Sequence, residues 1–202
     1  MSSQNSRVFA IVPAAGRSRR MGAAKQLLAV GGQPMLLAML EPLAAAQVAG
    51  VVLVTHQTVA ELVAVGHLRG VVVMRNDDAH SEMIDSIRIG LRAWLERESM
   101  ADSDGFLVCP ADQPGISTAD FDACIAAFRA ASDRIIVASR AGRRGHPLIF
   151  PASLADFVQS AACDSGLNAL PRAFAARTRA VECHSPGVTT DVDTLGDYER
   201  LR

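Results

Sequence analysis

Between Val12 and Lys25 the chain reads VPAAGRSRRMGAAK, small residues followed by fixed positive charge. Ala14, Ala15 and Gly16 let a ligand come close to the main chain, and successive N–H groups in a glycine-containing turn form a nest for an anion. Arg20 and Lys25 add cations. The combination suits a triphosphate, whose charges must be neutralised before a nucleophile can approach. The spacing is neither G-x-x-x-x-G-K-[ST] nor G-x-G-x-x-G, so a P-loop and a dinucleotide fingerprint are both unsupported. A solvated basic turn between a strand and a helix is the simpler alternative.

The acidic counterpart lies in two distant stretches. CPADQPG, Cys109 to Gly115, puts Asp112 just beyond an apolar run, and Pro114 stops the chain from continuing regularly. Magnesium bound with a nucleotide takes one or two carboxylates plus phosphate oxygens and waters, so one such Asp can start a site. Helix capping is the other use of a strand-ending Asp, but Ser117 is the better cap for the helix that follows. TTDVDTLGDY supplies Asp191 and Asp193, which point to opposite faces if the stretch is extended. Asp197 falls where a first helical turn favours negative charge. His146, in GRRGHP, is either a ligand contact or a structural turn histidine before proline. The remaining histidines show no ligand spacing, and the four cysteines form no C-x-x-C pair, which argues against zinc or a disulfide framework.

These residues need a scaffold that brings distant loops together. The chain has 202 residues and is 50% hydrophobic, enough for a full core in a single domain. Short β-branched runs at Val8–Val12, Val51–Thr55, Val71–Arg75, Gly105–Cys109 and Ile135–Ser139 alternate with helical stretches near Met35–Ala49, Val59–Val65, Met83–Glu98 and Thr118–Ala131. That order predicts a three-layer α/β domain with a mainly parallel sheet. After Ser139 the rhythm changes, and an antiparallel strand joining the same sheet is expected. In open parallel sheets ligands bind beyond the carboxyl ends of the strands, where the loops after the first, third and fourth strands converge.

Composition removes other classes. A net charge of −1 gives no field for nucleic acid or an anionic membrane. One Trp and one Tyr leave the basic stretches without aromatic partners for stacking bases. Met35 to Val54 is interrupted by Glu41, Pro42 and Gln47, so it reads as a buried helix running into a strand, with no membrane span. A reducing cytoplasm fits the cysteine usage, and residues 1–7 are expected to form a flexible tail.

PAAGRSRRMGAAKQLL resembles the signature of the MobA-like nucleotidyltransferases, and most closely the branch typified by molybdenum cofactor cytidylyltransferase. The resemblance implies a single Rossmann-like α/β/α domain over residues 1–202 with a mostly parallel, mixed sheet. It also implies roles by position. Backbone at Ala14, Ala15 and Gly16 would touch the nucleotide, Arg20 would grip phosphates and Lys25 would stabilise charge at the α-phosphate. Asp112 would bind Mg2+ with Asp191 as a second contact, Asp193 or Thr194 capping the last helix. Arg17 and Arg19 fall on variable positions. NDDAHSEMIDSIRIGL resembles the stretch that faces the nucleobase, with Ser86 in place to bond it. Glu82 stands where the family has Gly, and a carboxylate there alters base choice or weakens binding. GRRGHP and ACDSGLNAL resemble acceptor-side segments, which marks His146, Asp164 and Gly166, with Cys163 replacing a Gly.

The implied reaction is attack by an acceptor phosphate on the α-phosphate of CTP, releasing pyrophosphate, with molybdopterin or its metal-loaded form as acceptor. A molybdoenzyme or its chaperone would be a transient partner. Three alternatives stay open: GTP as donor, a sugar or polyol phosphate as acceptor, and an accessory protein that binds without turnover.

Overall fold

The computed structural model describes residues 6–16, 24–57, 59, 68 and 70–201. Arg20 and nearly all of the expected helix at Val59–Val65 lie outside the described residues. So do residues 1–5 of the expected tail. Arg7, counted with that tail, is tied to the body through Asp104 at 2.7 Å and Glu98 at 3.0 Å.

Seven strands form one mixed sheet. They are β1 (Val8–Pro13), β4 (Gly50–Thr55), β5 (Val71–Arg75), β6 (Gly105–Val108), β7 (Ile135–Arg140), β8 (Arg143–Pro151) and β9 (Thr178–Glu182), in spatial order β5-β4-β1-β6-β8-β7-β9. Only β8 is antiparallel to its neighbours, pairing Val108 with Leu148 on one side and Val137 with Leu148 on the other. The antiparallel strand expected after Ser139 is therefore present, inserted between β6 and β7.

Period-two alternation sorts side chains to the two faces. Val8, Ala10 and Val12 of β1 join a core with Leu36, Met39, Leu40 and Leu43 of α1 (Met35–Ala44) and Phe121, Cys124, Ile125 and Phe128 of α3 (Thr118–Ala130). Phe9 and Ile11 face the opposite core with Ile84, Ile87, Leu91 and Trp94 of α2 (Met83–Arg97), joined by Val158 of α4 (Ala155–Gln159) and Leu170 of α5 (Ala169–Ala173). Trp94 spends its indole N–H on the Ala10 carbonyl at 3.0 Å, which satisfies the one polar atom it buries.

Helix α1 stops five residues short of the expected Ala49. Its last turn is closed by the Ala45 N–H on the Glu41 carbonyl, and the chain must then reach Gly50 to start β4. A small hairpin precedes α1, β2 (Ala29–Val30) with β3 (Gln33–Pro34), turning through Gly31 and Gly32, both at positive φ. Such a two-glycine turn matches the right-handed twist of paired strands. The last helix is α6 (Leu195–Glu199).

Candidate active site

Three chain segments meet beyond the carboxyl ends of β1 and β6. The first, Ala14–Gly16, is held from behind. Gln26 is buried, and its amide donates to the Ala14 carbonyl at 2.9 Å and to the Gly16 carbonyl at 2.8 Å, while Thr55 Oγ1 donates to Ala14 at 3.3 Å. A trans peptide sets N–H opposite C=O, so the Ala15 N–H is turned away from Gln26. A Cβ placed on Gly16 would meet no atom of the described residues within 4 Å.

The second segment carries Asp112, which follows β6 with Ala111 bonded back to Pro13. The third runs from Pro186 to Asp193. Val192 N–H donates to the Asp112 carbonyl at 3.0 Å, so the two acidic stretches of the sequence are stitched together. Lys25, at the head of a 3-10 turn over Lys25–Leu27, spans all of it: its Nζ lies 2.6 Å from Asp112 Oδ2, 3.0 Å from Asp193 Oδ1 and 3.1 Å from the Val192 carbonyl. Burial works against the ammonium charge, but Asp112 and then Asp193 outweigh it and hold the Lys25 pKa above its ordinary value. Lys25 is therefore a fixed cation.

A cavity of about 270 Å³ opens in front of these groups, lined by Ala14, Ala15, Gly16, Lys25, Asp112 and Asp193, with Ser81, Glu82, Met83 and Ser86 forming its other wall. Ser86 is buried and accepts from Asn76 Nδ2 at 2.9 Å; the same amide donates to Ser81 Oγ at 3.1 Å.

A second cavity, of about 460 Å³, lies on the β8 side. Its wall includes Gln113, Arg143, Arg144, His146, Arg172 and Asp191. Gln113 Oε1 and His146 Nδ1 are buried without a partner among the described residues, an arrangement that a polar ligand would relieve. Burial pushes the His146 imidazolium down toward the neutral form, opposed by the Asp112 and Asp191 carboxylates. Asp112 thus lines the first cavity and acts electrostatically on a residue of the second.

Close packing fixes this junction. A Cβ on Gly145 would fall 1.7 Å from the Val188 carbonyl, and one on Gly187 would fall 2.6 Å from the Pro114 carbonyl. No other residue type fits where β8, the Asp112 loop and the third segment cross.

Several sequence expectations find a different place. Asp193, not Asp191, faces Lys25 and the first cavity, because the extended chain through Thr190 and the buried Val192 sends alternate side chains to opposite sides. The cap of α6 is Thr194, whose hydroxyl accepts from the Asp197 N–H, with the Asp197 carboxylate returning to the Thr194 N–H at 2.8 Å. Asp164 lines neither cavity; it pairs with Arg88 at 2.7 Å, held there by Arg88 bonds to the Val158 and Ser160 carbonyls. Gly166 turns the chain at φ +108°, and it is Arg172, on the helix beyond, that reaches the second cavity. Sequence reading did not single out Gln26, Gln113, Arg143, Arg144 or Arg172. The signal available for Gln26 was one amide between Lys25 and an apolar pair; for Arg143 and Arg144 it was their place just before His146, and Arg172 carried none.

Among the described residues no group of three or more His, Cys, Asp or Glu side chains could hold a metal ion by itself. Nor is any helix of those residues long and apolar enough to cross a membrane.

Comparison with known proteins bears on this geometry. Among solved structures, the chain is similar to Rv0371c from Mycobacterium tuberculosis H37Rv, at 27% identity and a TM-score of 0.78 over 97% of this chain and 98% of that one. That protein has also been solved as a complex with manganese. The fold is shared with the nucleotidyl transferase Mth528 from Methanothermobacter thermautotroptrophicus (24% identity, TM-score 0.76, 97% and 96% of the chains). It is shared too with CMP:2-keto-3-deoxy-manno-octonic acid synthetase complexed with CTP (18% identity, TM-score 0.72, 97% of each chain). No curated protein sequence matches the chain. The model of the MobA-like NTP transferase domain, however, matches residues 10–181, and with that span taking in the small-residue loop, Lys25, Asp112 and the β8 wall, the chain belongs to the MobA-like NTP transferase family of nucleotidyltransferases.

Proposed function

We propose that this protein transfers CMP from CTP to the phosphate of molybdopterin or its metal-loaded form, with magnesium as cofactor and release of pyrophosphate. The observation that carries the reading is the position of Asp112: it pairs with Lys25 in the first cavity, and its chain neighbour Gln113, with Asp191 beside the Val192 bonded to the Asp112 carbonyl, lines the second. A donor and an acceptor held in the two cavities would meet beside one carboxylate.

In this reading the triphosphate lies against Ala14–Gly16, with Lys25 offsetting charge that develops at the α-phosphate and Arg20 assisting from the same loop. The acceptor phosphate is already nucleophilic, so no Ser, Cys or deprotonating base is required. Arg143, Arg144 and Arg172 suit an anionic acceptor, while buried Gln113 Oε1 can accept a hydrogen bond from its donor groups and His146 Nδ1 can take a further one. Catalysis then rests on orientation and charge neutralisation.

Asp112 and Asp191 would hold the magnesium ion. The bond from the Val192 N–H to the Asp112 carbonyl brings their stretches together, and hard carboxylate oxygens suit Mg2+ or Mn2+, with phosphate oxygens and water completing the ligand set. When bound, the ion would supply further neutralisation of the phosphate oxygens. Asp193 serves Lys25 instead, keeping it charged and in place. The manganese complex of Rv0371c and the CTP complex of the synthetase support a metal- and nucleotide-dependent reading.

The test is pyrophosphate release with magnesium, each of the four NTPs, and molybdopterin as acceptor. CTP-dependent release that requires molybdopterin is the expected result. Release with GTP alone would overturn the base assignment, and release only with a sugar or polyol phosphate would overturn the acceptor. Nucleotide binding with no release for any acceptor would favour an accessory protein.

A further inference from the structure

We propose that Glu82 is the residue that reads the nucleobase, selecting a base with an amino group at its outer end and rejecting one with a carbonyl there. The inference rests on the first cavity being the nucleotide site and goes beyond it by naming the side chain that chooses the base and the chemistry of the choice.

The cavity has a charged wall and a helix-start wall. Lys25, with the Ala14–Gly16 main chain, takes the phosphates, which leaves Ser81, Glu82, Met83 and Ser86 for the rest of the nucleotide. Glu82 also lines an adjoining hollow with Ala15, Gly16 and Asp78, so its side chain stands at the rim between the two spaces. It is exposed, and it makes no ion pair among the described residues.

Its backbone is nonetheless fixed. Glu82 is the N-cap of α2 in a capping box with Asp85, whose Oδ2 accepts the Glu82 N–H at 2.8 Å. One residue earlier, Ser81 Oγ accepts from Asn76 and donates to the Asp78 carbonyl at 3.0 Å, so that hydroxyl is already committed. The Glu82 carboxylate in turn accepts the Asp85 N–H, and its remaining lone pairs are the polar element this wall offers to a ligand. An ionised carboxylate only accepts, and it has more lone-pair sites than one helix cap uses.

In a pyrimidine nucleotide the 4-substituent lies across the ring from the glycosidic bond, so it is the first group to meet an end wall. Cytosine brings an amino donor there and uracil a carbonyl acceptor; carboxylates accept from the cytosine amino group. Against Glu82 the first makes a charge-assisted hydrogen bond, and the second sets two acceptors together. The same logic favours adenine over guanine. Ser86, which accepts from Asn76 and donates to none of the described residues, retains a proton for the ring acceptors.

The experiment is the Kd of CTP and of UTP with magnesium, by calorimetry, for the native chain, Glu82→Gly and Glu82→Gln; it needs no acceptor. The native chain should prefer CTP by at least about tenfold, the value of one charge-assisted bond. In Glu82→Gly that ratio should fall toward one, since glycine is tolerated at an N-cap. In Glu82→Gln, whose amide can turn its NH2 to a carbonyl, UTP should recover further. Equal tightening of both nucleotides in Glu82→Gly would show a charge effect blind to the base and overturn the inference. So would a CTP preference that survives both variants. Failure of the native chain to bind any NTP would overturn the nucleotide site as well, whereas binding of CTP and UTP alike would leave that site standing and remove only the role of Glu82.

Discussion

The two cavities are built on different principles. Among the described residues the first is assembled mainly from main chain and one part-buried cation: Gln26 clamps two carbonyls and Lys25 joins three segments. The second is assembled from exposed arginines around two buried polar atoms with no partner among the described residues. A pre-organised wall suits the invariant part of a reaction, the triphosphate. A wall of long, exposed cations over a fixed polar floor suits the acceptor of the proposed reaction.

The contrast breaks most completely at Asp112, which serves both cavities. Asp112→Asn should lower turnover by about a thousandfold or more, as loss of a preorganised charge does, while NTP binding by calorimetry stays within about tenfold. Comparable turnover in this variant would remove it from the reaction. Next comes Gly145→Ala, which drives a methyl into the Val188 carbonyl. It should destabilise the chain by roughly 3 kcal/mol in urea unfolding, an overpacking effect, and any folded fraction should lose acceptor saturation before nucleotide binding.

Asp193→Asn and Asp191→Asn sharpen the comparison. The first should raise the KM for the NTP and the second the KM for the acceptor, each by about tenfold, in steady-state assays with the other substrate saturating, and the second, which removes a proposed magnesium ligand, should also raise the magnesium concentration needed for turnover. If both variants shift the same KM, the two faces of that segment are not separate. Gln26→Leu should raise the NTP KM by a smaller factor, with roughly 1–3 kcal/mol lost from stability because two carbonyls lose their donor.

The smallest effect is acidic. Asp120 is buried, which disfavours its charge, but bonds from Ser185, His184 and Ser117 outweigh burial and hold its pKa below 3.8. A lowered carboxylate pKa means the unfolded chain binds more protons, so this stabilisation is present above pH 3.8 and is lost as pH falls below it. Asp120→Asn should flatten the acid limb of the stability curve by lowering stability at neutral and alkaline pH, the difference from the native chain closing as pH falls below 3.8.

Much of the scaffold was legible because burial writes itself into hydrophobic period: the alternation in β1 and the stripe of α2 both say which side faces which core. The site was legible where chemistry and spacing coincide, at Ala14–Gly16, Lys25 and Asp112. It was not legible where geometry decides. Asp191 and Asp193 differ only in parity along an extended chain, and nothing local says which one faces Lys25. Asp164 was obscured by Arg88, a partner 76 residues away in sequence. The arginines of the second cavity were not singled out because their common target is a space, which a sequence cannot display.

Val188 and Val192 also set a length. One is locked where β8 crosses it and the other is bonded to the Asp112 carbonyl, so the chain between them works as a ruler with both ends fixed. Adding one uncharged residue between Asp191 and Val192 would turn Asp191 away from the arginines, while Asp193, beyond the fixed Val192, would stay on Lys25. Net charge and fold would be unchanged, yet one chamber would lose its carboxylate, so this stretch should tolerate substitution far better than any change in length.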